Sequence, residues 1–255
     1  MKNIFINAVK YIPRKIKMRL VGNEIYEIRE RLRCMEIDIK AILKMQCGLN
    51  FRGQVWQDGI AYLYFNGKKD GFYIDIGAND GVAINNTLVF EQLGWKGICV
   101  EPVPEIFNEL KKNRTCDCYN VAIANKSGES VEFIKAEGVE VLSGLTSEMA
   151  QAHKNRILRE NGKIRKIYVK TLSFADLMAD YKGLKHIDFM SIDVEGAEMS
   201  ILKAINFKEY SFGLITVENN EEVKGGGNRL KKYMKEQGYK VYADLGLDIM
   251  FIPDN

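Results

Sequence analysis

The 255 residues contain no apolar run approaching the ~20 needed to cross a bilayer. The amino terminus has no apolar core followed by small residues of the kind that marks a secretory signal. A cytoplasmic protein is therefore expected. The five cysteines, Cys34, Cys47, Cys99, Cys116 and Cys118, have no C-x-x-C spacing, which argues against structural zinc, and a reducing compartment accommodates all of them. Cys99 falls within an apolar run and reads as a small hydrophobe. A net charge of +3 is too small to imply nucleic-acid binding by itself. There is no internal repeat and no low-complexity stretch. With 46% hydrophobic and 28% charged residues, the chain has the composition of an ordinary globular protein.

The most informative stretch is FYIDIGANDG, residues 72–81. Its short β-branched run predicts a central parallel strand covered on both faces. Gly77 and Gly81 then let the backbone turn sharply beside a ligand, since neither carries a Cβ. The turn is not G-x-G-x-x-G, which weakens a nicotinamide dehydrogenase reading. A second strand, 97–101, ends in Glu101, close to the spacing at which an acid meets ribose hydroxyls. Asp75 and Glu101 are read as a pair of ligand-facing acids, against the alternative that they are surface or capping acids at strand ends.

Strands and helices alternate along the rest of the chain, which predicts an α/β fold with a doubly wound, mostly parallel sheet. Helices are expected over 54–65, 85–93, 104–113, 173–181 and 229–237, and further strands over 119–122, 130–134, 166–171, 187–192 and 212–217. A closing hairpin is expected from 239–243 and 247–252. Between 135 and 165 the alternation stops, and an insertion there reads as a lid or substrate loop. It carries His153, one of only two histidines, which is either a general base or part of a solvated helix face. His186 reads as structural.

Asp193 follows strand 187–192, and Glu218 ends strand 212–217. Both fall at the carboxyl edge, where open α/β sheets bind ligands. Glu195 and Glu198 follow Asp193; they either join it or stabilise a helix amino terminus through the dipole. Acids crowded into one crevice need a cation, a shared proton or separation by solvent, and oxygen-only ligands suit magnesium, manganese or calcium rather than zinc. Asp193, Glu198 and Glu218 are thus the expected metal ligands. Asp193, Glu218 and His153 are the expected catalytic groups.

FYIDIGANDG with Asn86 and Thr87, GWKGICVEP at 94–102 and IDFMSIDVEGAE at 187–198 together resemble the FkbM-type S-adenosylmethionine-dependent methyltransferases, over roughly residues 53–253. The resemblance implies a class I, Rossmann-like methyltransferase domain at 51–255 ending in an antiparallel hairpin. It implies S-adenosylmethionine bound around Asp75, Gly77, Asn79, Gly81, Thr87, Glu101 and Ala122. A Gln-Asp pair, matched by Gln57 and Asp58, stands near the pocket in that family, although Asp58 reads equally as a helix cap. Thr87 likewise either caps the following helix or reaches the ligand. The implied activity is O-methylation of a sugar, with a nucleotide-activated sugar or a capsule or lipopolysaccharide precursor as acceptor.

Ahead of that domain, residues 1–50 are expected to form a helical arm. Its first twenty residues are basic, without acids, and suit a solvated arm or weak membrane-surface contact. Residues 23–46 carry a heptad seam that suits a homodimer or packing on the catalytic domain. Two competing functions remain. One is a non-catalytic cofactor-binding or assembly module centred on the heptad helix. The other is a nucleic-acid methyltransferase; it lacks Asn-Pro-Pro-Tyr or Asp-Pro-Pro-Tyr after the fourth strand, and its acidic site would repel phosphate.

Overall fold

The computed structural model describes residues 48–138, 142–147, 149, 151–219 and 226–254. The basic arm, the heptad seam and Gly225 of the triple-glycine loop lie outside the described residues. Phe51–Asn255 forms one compact unit.

Helix α1 (Gln57–Tyr64) precedes β1 (Phe72–Ile76), and then come α2 (Leu88–Gln92), β2 (Lys96–Val100), α3 (Pro104–Asn113) and β3 (Asp117–Tyr119). The chain continues through β4 (Ala122–Ile123), β5 (Ser130–Glu137), β6 (Gly144–Leu145), α4 (Gln151–Arg159), β7 (Lys163–Leu172) and α5 (Phe174–Leu177). It ends with β8 (His186–Ile192), α6 (Glu198–Ala204), β9 (Ser211–Glu218), α7 (Gly226–Glu236), β10 (Tyr239–Asp244) and β11 (Asp248–Pro253).

Seven strands form one sheet in the order β10-β11-β9-β8-β1-β2-β3. β1 pairs in parallel with β2 on one side and β8 on the other, β8 pairs in parallel with β9, and β11 runs antiparallel to both β9 and β10. The winding therefore reverses between β1 and β8. That reversal opens a crevice at the carboxyl ends of these strands. β1, β8 and β9 can occupy the middle because their apolar runs are buried on both faces, with Ile74, Met190 and Ile215 in one core cluster. The aromatic packing of Phe90 against Trp95 and Phe189, at ring-centroid distances of 4.6 and 5.1 Å, seats α2.

The region expected as an insertion, 135–165, contains helix α4 and contributes β6 and the ends of β5 and β7 to a second sheet, ordered β4-β7-β5-β6. β5 and β7 pair antiparallel from Ser130 opposite Lys170 to Glu137 opposite Lys163. One face, with Phe133 and Val169, packs on Val103 at the start of α3. The other, with Ile134 and Ala136, is covered by Leu142, Met149 and Ile157 of α4. The expected third strand also divides. β3 stops at Tyr119, where Asn120 Nδ2 donates to the carbonyls of Glu101 and Pro102 at 2.8 and 2.9 Å, and Ala122–Ile123 crosses to the second sheet as β4. Helix α2 is shorter than its sequence pattern, because Asn85 and Asn86 turn back toward the sheet (below).

Behind the glycine turn, Arg114 ties α2, α3 and β1 together. Its side chain is wholly buried; Nε donates to Glu91 Oε2 at 2.7 Å, Nη2 to the Tyr73 hydroxyl at 2.9 Å, and Nη1 to Asn85 Oδ1 at 3.1 Å. Burial pushes the Glu91 carboxyl up, but the Thr115 amide and Arg114 outweigh it and hold it at about 2. Removing the guanidinium strands several buried polar groups at once. Arg114→Leu is expected to cost about 3–5 kcal/mol in urea unfolding; a cost below about 1 kcal/mol would show that these groups find other partners.

Candidate active site

The turn after β1 is fixed by backbone contacts. Gly77 and Ala78 both donate to the Val100 carbonyl at 3.0 Å, and Asp193 N donates to Ile76 O at 3.0 Å. Gly77 has φ 89°, and a Cβ there would lie 1.7 Å from the carbonyl oxygen of Asp193. Only glycine lets the two strand ends meet. Asn79 follows at φ 50°, a conformation asparagine tolerates. Gly81 acts behind the turn: a Cβ there would sit 2.6 Å from both Arg114 Cγ and Leu110 Cδ1.

Asp75 is buried, and its Oδ2 accepts from Asn85 Nδ2 at 2.9 Å and Thr87 Oγ1 at 2.6 Å. Burial raises its carboxyl against the pull of Arg114, Thr87 and Asn85. Thr87 is fully buried and lies away from the cleft wall. Its side chain does not cap α2; Asn85 Oδ1 does, accepting from Thr87 N and Leu88 N at 2.9 and 2.8 Å. At the end of β2, Glu101 Oε1 accepts from Val103 N at 2.8 Å. Burial lifts the Glu101 carboxyl to about 7, opposed by the Val103 and Asn79 amides.

These strand ends open on a cleft of about 1280 Å³, part of it open to solvent. One end is lined by Asp75, Asn79, Glu101, Val121, Ala122 and Ile123, and the other by Gln54, Asn86, Asp193, Glu195, Glu218 and Asp248. Gly77 contributes to the first end, while Gly81 and Asp58 are not on the wall. Asp58 Oδ2 accepts from the amides of Arg52 and Gly53, and Oδ1 from Gly59 N at 2.8 Å, so this carboxylate folds the preceding loop onto α1. Its neighbour Gln57 reaches the site indirectly, donating from Nε2 to Asp248 Oδ2 at 2.7 Å.

At the acidic end, carboxylate oxygens of Asp193, Glu195 and Glu218 lie within 4.8 Å of one another. Glu195 takes φ 55°, in the left-handed region, which places its side chain beside those of its neighbours. Glu198, expected among the ligands, is differently engaged. Its Oε1 accepts from Gly196 N at 2.8 Å and Val194 N at 3.4 Å, bracing the turn into α6. Burial, then the charges of Asp248, Glu198 and Asp75, lift Asp193 to about 8. Burial and the neighbouring acids carry Glu195 and Glu218 well above the usual carboxylate range. Glu218 Oε2 is buried without a hydrogen-bond partner among the described residues. Protons are therefore retained in this group at neutral pH.

The sequence reading missed Gln54, Asn86, Arg156 and Asp248. Asp248 offered one signal, an acid opening an apolar strand, and Asn86 stood in the motif that carries the resemblance without a role of its own; nothing local marked Gln54 or Arg156. Arg156 of α4 reaches the cleft wall, and its charge partly offsets the rise at Glu195. His153 is placed by its backbone on α4, but its side chain lies outside the described residues.

Three parallel strands on one side of a switch point, with an antiparallel pair closing the other, define the class I methyltransferase fold, and the acidic strand-end cleft sits where that class works. The chain belongs to the FkbM methyltransferase domain family, whose model matches residues 75–241. It is thus an S-adenosylmethionine-dependent methyltransferase. The methyltransferase sdnD of Sordaria araneosa is 22% identical over 205 residues, covering 70% of this chain and 77% of that protein. Among solved structures, the METTL16 methyltransferase domain has 15% identity and a TM-score of 0.42, covering 85% of this chain and 77% of the other. A human methyltransferase 10 domain-containing protein has 12% identity and a TM-score of 0.40, covering 85% and 93%.

The cleft fits the family's cofactor. Glu101 is an acceptor at the β2 end, Ile123 and Val121 supply an apolar slot beside it, and Asn86 Oδ1 is a buried acceptor without a partner among the described residues, suited to an ammonium.

Two predictions follow from this geometry. Gly77→Ala is expected to abolish S-adenosylhomocysteine binding in calorimetry, because the added carbon meets backbone rather than a movable side chain. Glu101 keeps its proton to about pH 7 when folded but loses it near 4.5 when unfolded. Its contribution to stability is therefore full below pH 4.5 and is lost as pH rises to 7. The loss is roughly 3 kcal/mol for one such group. Glu101→Gln is expected to flatten the pH dependence of urea unfolding over that window; an unchanged slope would contradict the assignment.

Proposed function

We propose that this protein transfers the methyl group of S-adenosylmethionine to a hydroxyl oxygen of a sugar, presented as a nucleotide-activated sugar or as a capsule or lipopolysaccharide precursor. The observation that carries this reading is the group of high-pKa carboxyls, Asp193, Glu195 and Glu218, at the strand ends directly beyond the cofactor end of the cleft. When bound, the cofactor supplies an activated methyl on a sulfonium sulfur. The chain must then bind, align and deprotonate the acceptor.

Glu101 takes the ribose hydroxyls, Val121, Ala122 and Ile123 flank the adenine, and Asn86 Oδ1 accepts from the methionyl ammonium. Asp75 works one step back, holding Asn85 and Thr87 so that the turn keeps its shape. Gln54 and Asp248 offer hydrogen bonds suited to a polyhydroxyl acceptor. The ionised fraction of Asp193, a minority at neutral pH with a pKa of about 8, takes the hydroxyl proton as methyl transfer proceeds.

A second reading adds a hard divalent cation, magnesium or manganese. The 4.8 Å grouping of Asp193, Glu195 and Glu218 and the unpartnered Glu218 Oε2 favour it, with Glu195 in place of Glu198.

The test is transfer of labelled methyl to a panel of nucleotide-activated sugars, with and without chelator. Label on a sugar that survives chelation supports the protein base, and label abolished by chelator supports the cation. No label on any hydroxyl acceptor, with cofactor binding intact, would overturn the sugar assignment. Glu218→Gln is expected to lower turnover about 10²-fold, with S-adenosylhomocysteine affinity changed less than about twofold; full turnover would remove Glu218 from the mechanism.

A further inference from the structure

Behind the glycine turn, three thiols gather where β2 meets β3. Cys99 and Cys118 are register partners on the two strands, and Cys116 lies just ahead of β3. Cys99 is fully buried, while Cys116 and Cys118 are partly accessible. Cys116 Sγ lies 3.4 Å from Cys99 Sγ, whereas Cys118 Sγ is turned to the Cys116 carbonyl oxygen at 3.4 Å. Cys116 thus has a direct thiol contact with Cys99, and the Cys118 thiol hydrogen-bonds it as well. Arg114, two residues ahead of Cys116, places its guanidinium 5.4 Å from the Tyr73 ring centre and adds positive charge to this corner.

We propose that Cys116 is a peroxide-reactive thiol and that Cys99 resolves it, closing a Cys99–Cys116 disulfide. The contact needs to shorten from 3.4 Å to a bond of about 2.05 Å, and because Cys116 stands two residues ahead of the register partner of Cys99, the segment leading into β3 must shift with it. The two thiols also differ in the way the chemistry needs. Hydrogen bonding from Cys118 and Cys99, with Tyr73 and Arg114 nearby, pulls Cys116 down to about 4, while burial holds Cys99 protonated.

The Cys116 thiolate attacks hydrogen peroxide. The O–O bond breaks, an S–O bond forms, and the departing hydroxide takes up a proton as water. The Cys99 sulfur then attacks the sulfenic acid. The S–S bond forms, the S–O bond breaks, and a second water leaves with the Cys99 proton. In sum, two thiols and one peroxide give one disulfide and two waters. Arg114 also donates to the Gly81 carbonyl and to Asn85 Oδ1, so the bond would close on the group that supports the cofactor turn. The inference rests on no acceptor assignment.

The test uses the full chain carrying Cys34→Ser and Cys47→Ser, reduced, desalted, treated with hydrogen peroxide and mapped by mass spectrometry without reductant. The expected product is a linked pair of peptides containing Cys99 and Cys116, lighter by about 2 Da than the two thiol peptides together. It should disappear with dithiothreitol and in Cys116→Ser. Cys99→Ala preserves a small apolar group in the core and removes the resolving thiol. In that variant dimedone should label Cys116 at least about tenfold more than Cys118. A link through Cys118, dimedone on Cys118 instead, or no oxidation at peroxide levels that oxidise free cysteine would overturn the proposal.

Discussion

Everything at the working edge depends on one close approach. Because Gly77 has no side chain, the backbone after β1 can lie against the Asp193 carbonyl, where a methyl group would be 1.7 Å from oxygen. That contact brings the ends of β1 and β8 to the switch point with their turns side by side. The cofactor end, around Glu101 and Asn79, and the acidic end, around Asp193 and Glu218, are thereby joined in a single cleft. Separated strand ends would leave two half-sites.

Joining them crowds carboxyl groups into one largely buried corner of the cleft, and the chain manages the crowding in two ways. Some acids are given donors. Asp75 receives Asn85 and Thr87, Asp58 receives three loop amides, Glu198 receives the Val194 and Gly196 amides, and Glu91 receives Arg114. These acids shape the turns. Around Asp193, Glu195 and Glu218 burial and mutual repulsion outweigh the one opposing positive charge, Arg156 beside Glu195, and their pKa values rise instead. Acids satisfied by donors therefore support structure, and acids left to share protons are the ones available for chemistry.

The same distinction explains what could be read from the sequence. FYIDI, the IDFMSID stretch and the strand ending in Glu218 were legible as buried parallel strands because their β-branched runs have no other stable setting, and this also placed Asp193 and Glu218 at the carboxyl edge. The direction in which a side chain leaves the edge was not legible. Thr87 and Gly81 sit in the motif, yet they face Arg114 and α3, and Arg114 comes from a distant helix end. Strands at 130–134 and 166–171 were legible, but their extension to Glu137 and back to Lys163 was hidden, because Lys163, Ile164 and Arg165 are all exposed and show no apolar alternation. Asp248 and Asn86 enter the cleft through contacts between segments far apart in the chain, on which local periodicity is silent.

The central claim is that the cleft holds S-adenosylmethionine with Glu101 on its ribose and the shared-proton acids beyond its methyl. Isothermal titration of S-adenosylhomocysteine into the protein and into Glu101→Gln tests it most directly. The account predicts saturable one-to-one binding that weakens at least about tenfold in the variant above pH 7, where the Glu101 carboxyl is ionised and its loss removes a buried charged acceptor of two hydroxyls. Equal affinity in the two proteins would contradict the placement of the ribose, and no binding to either would contradict the cofactor site itself.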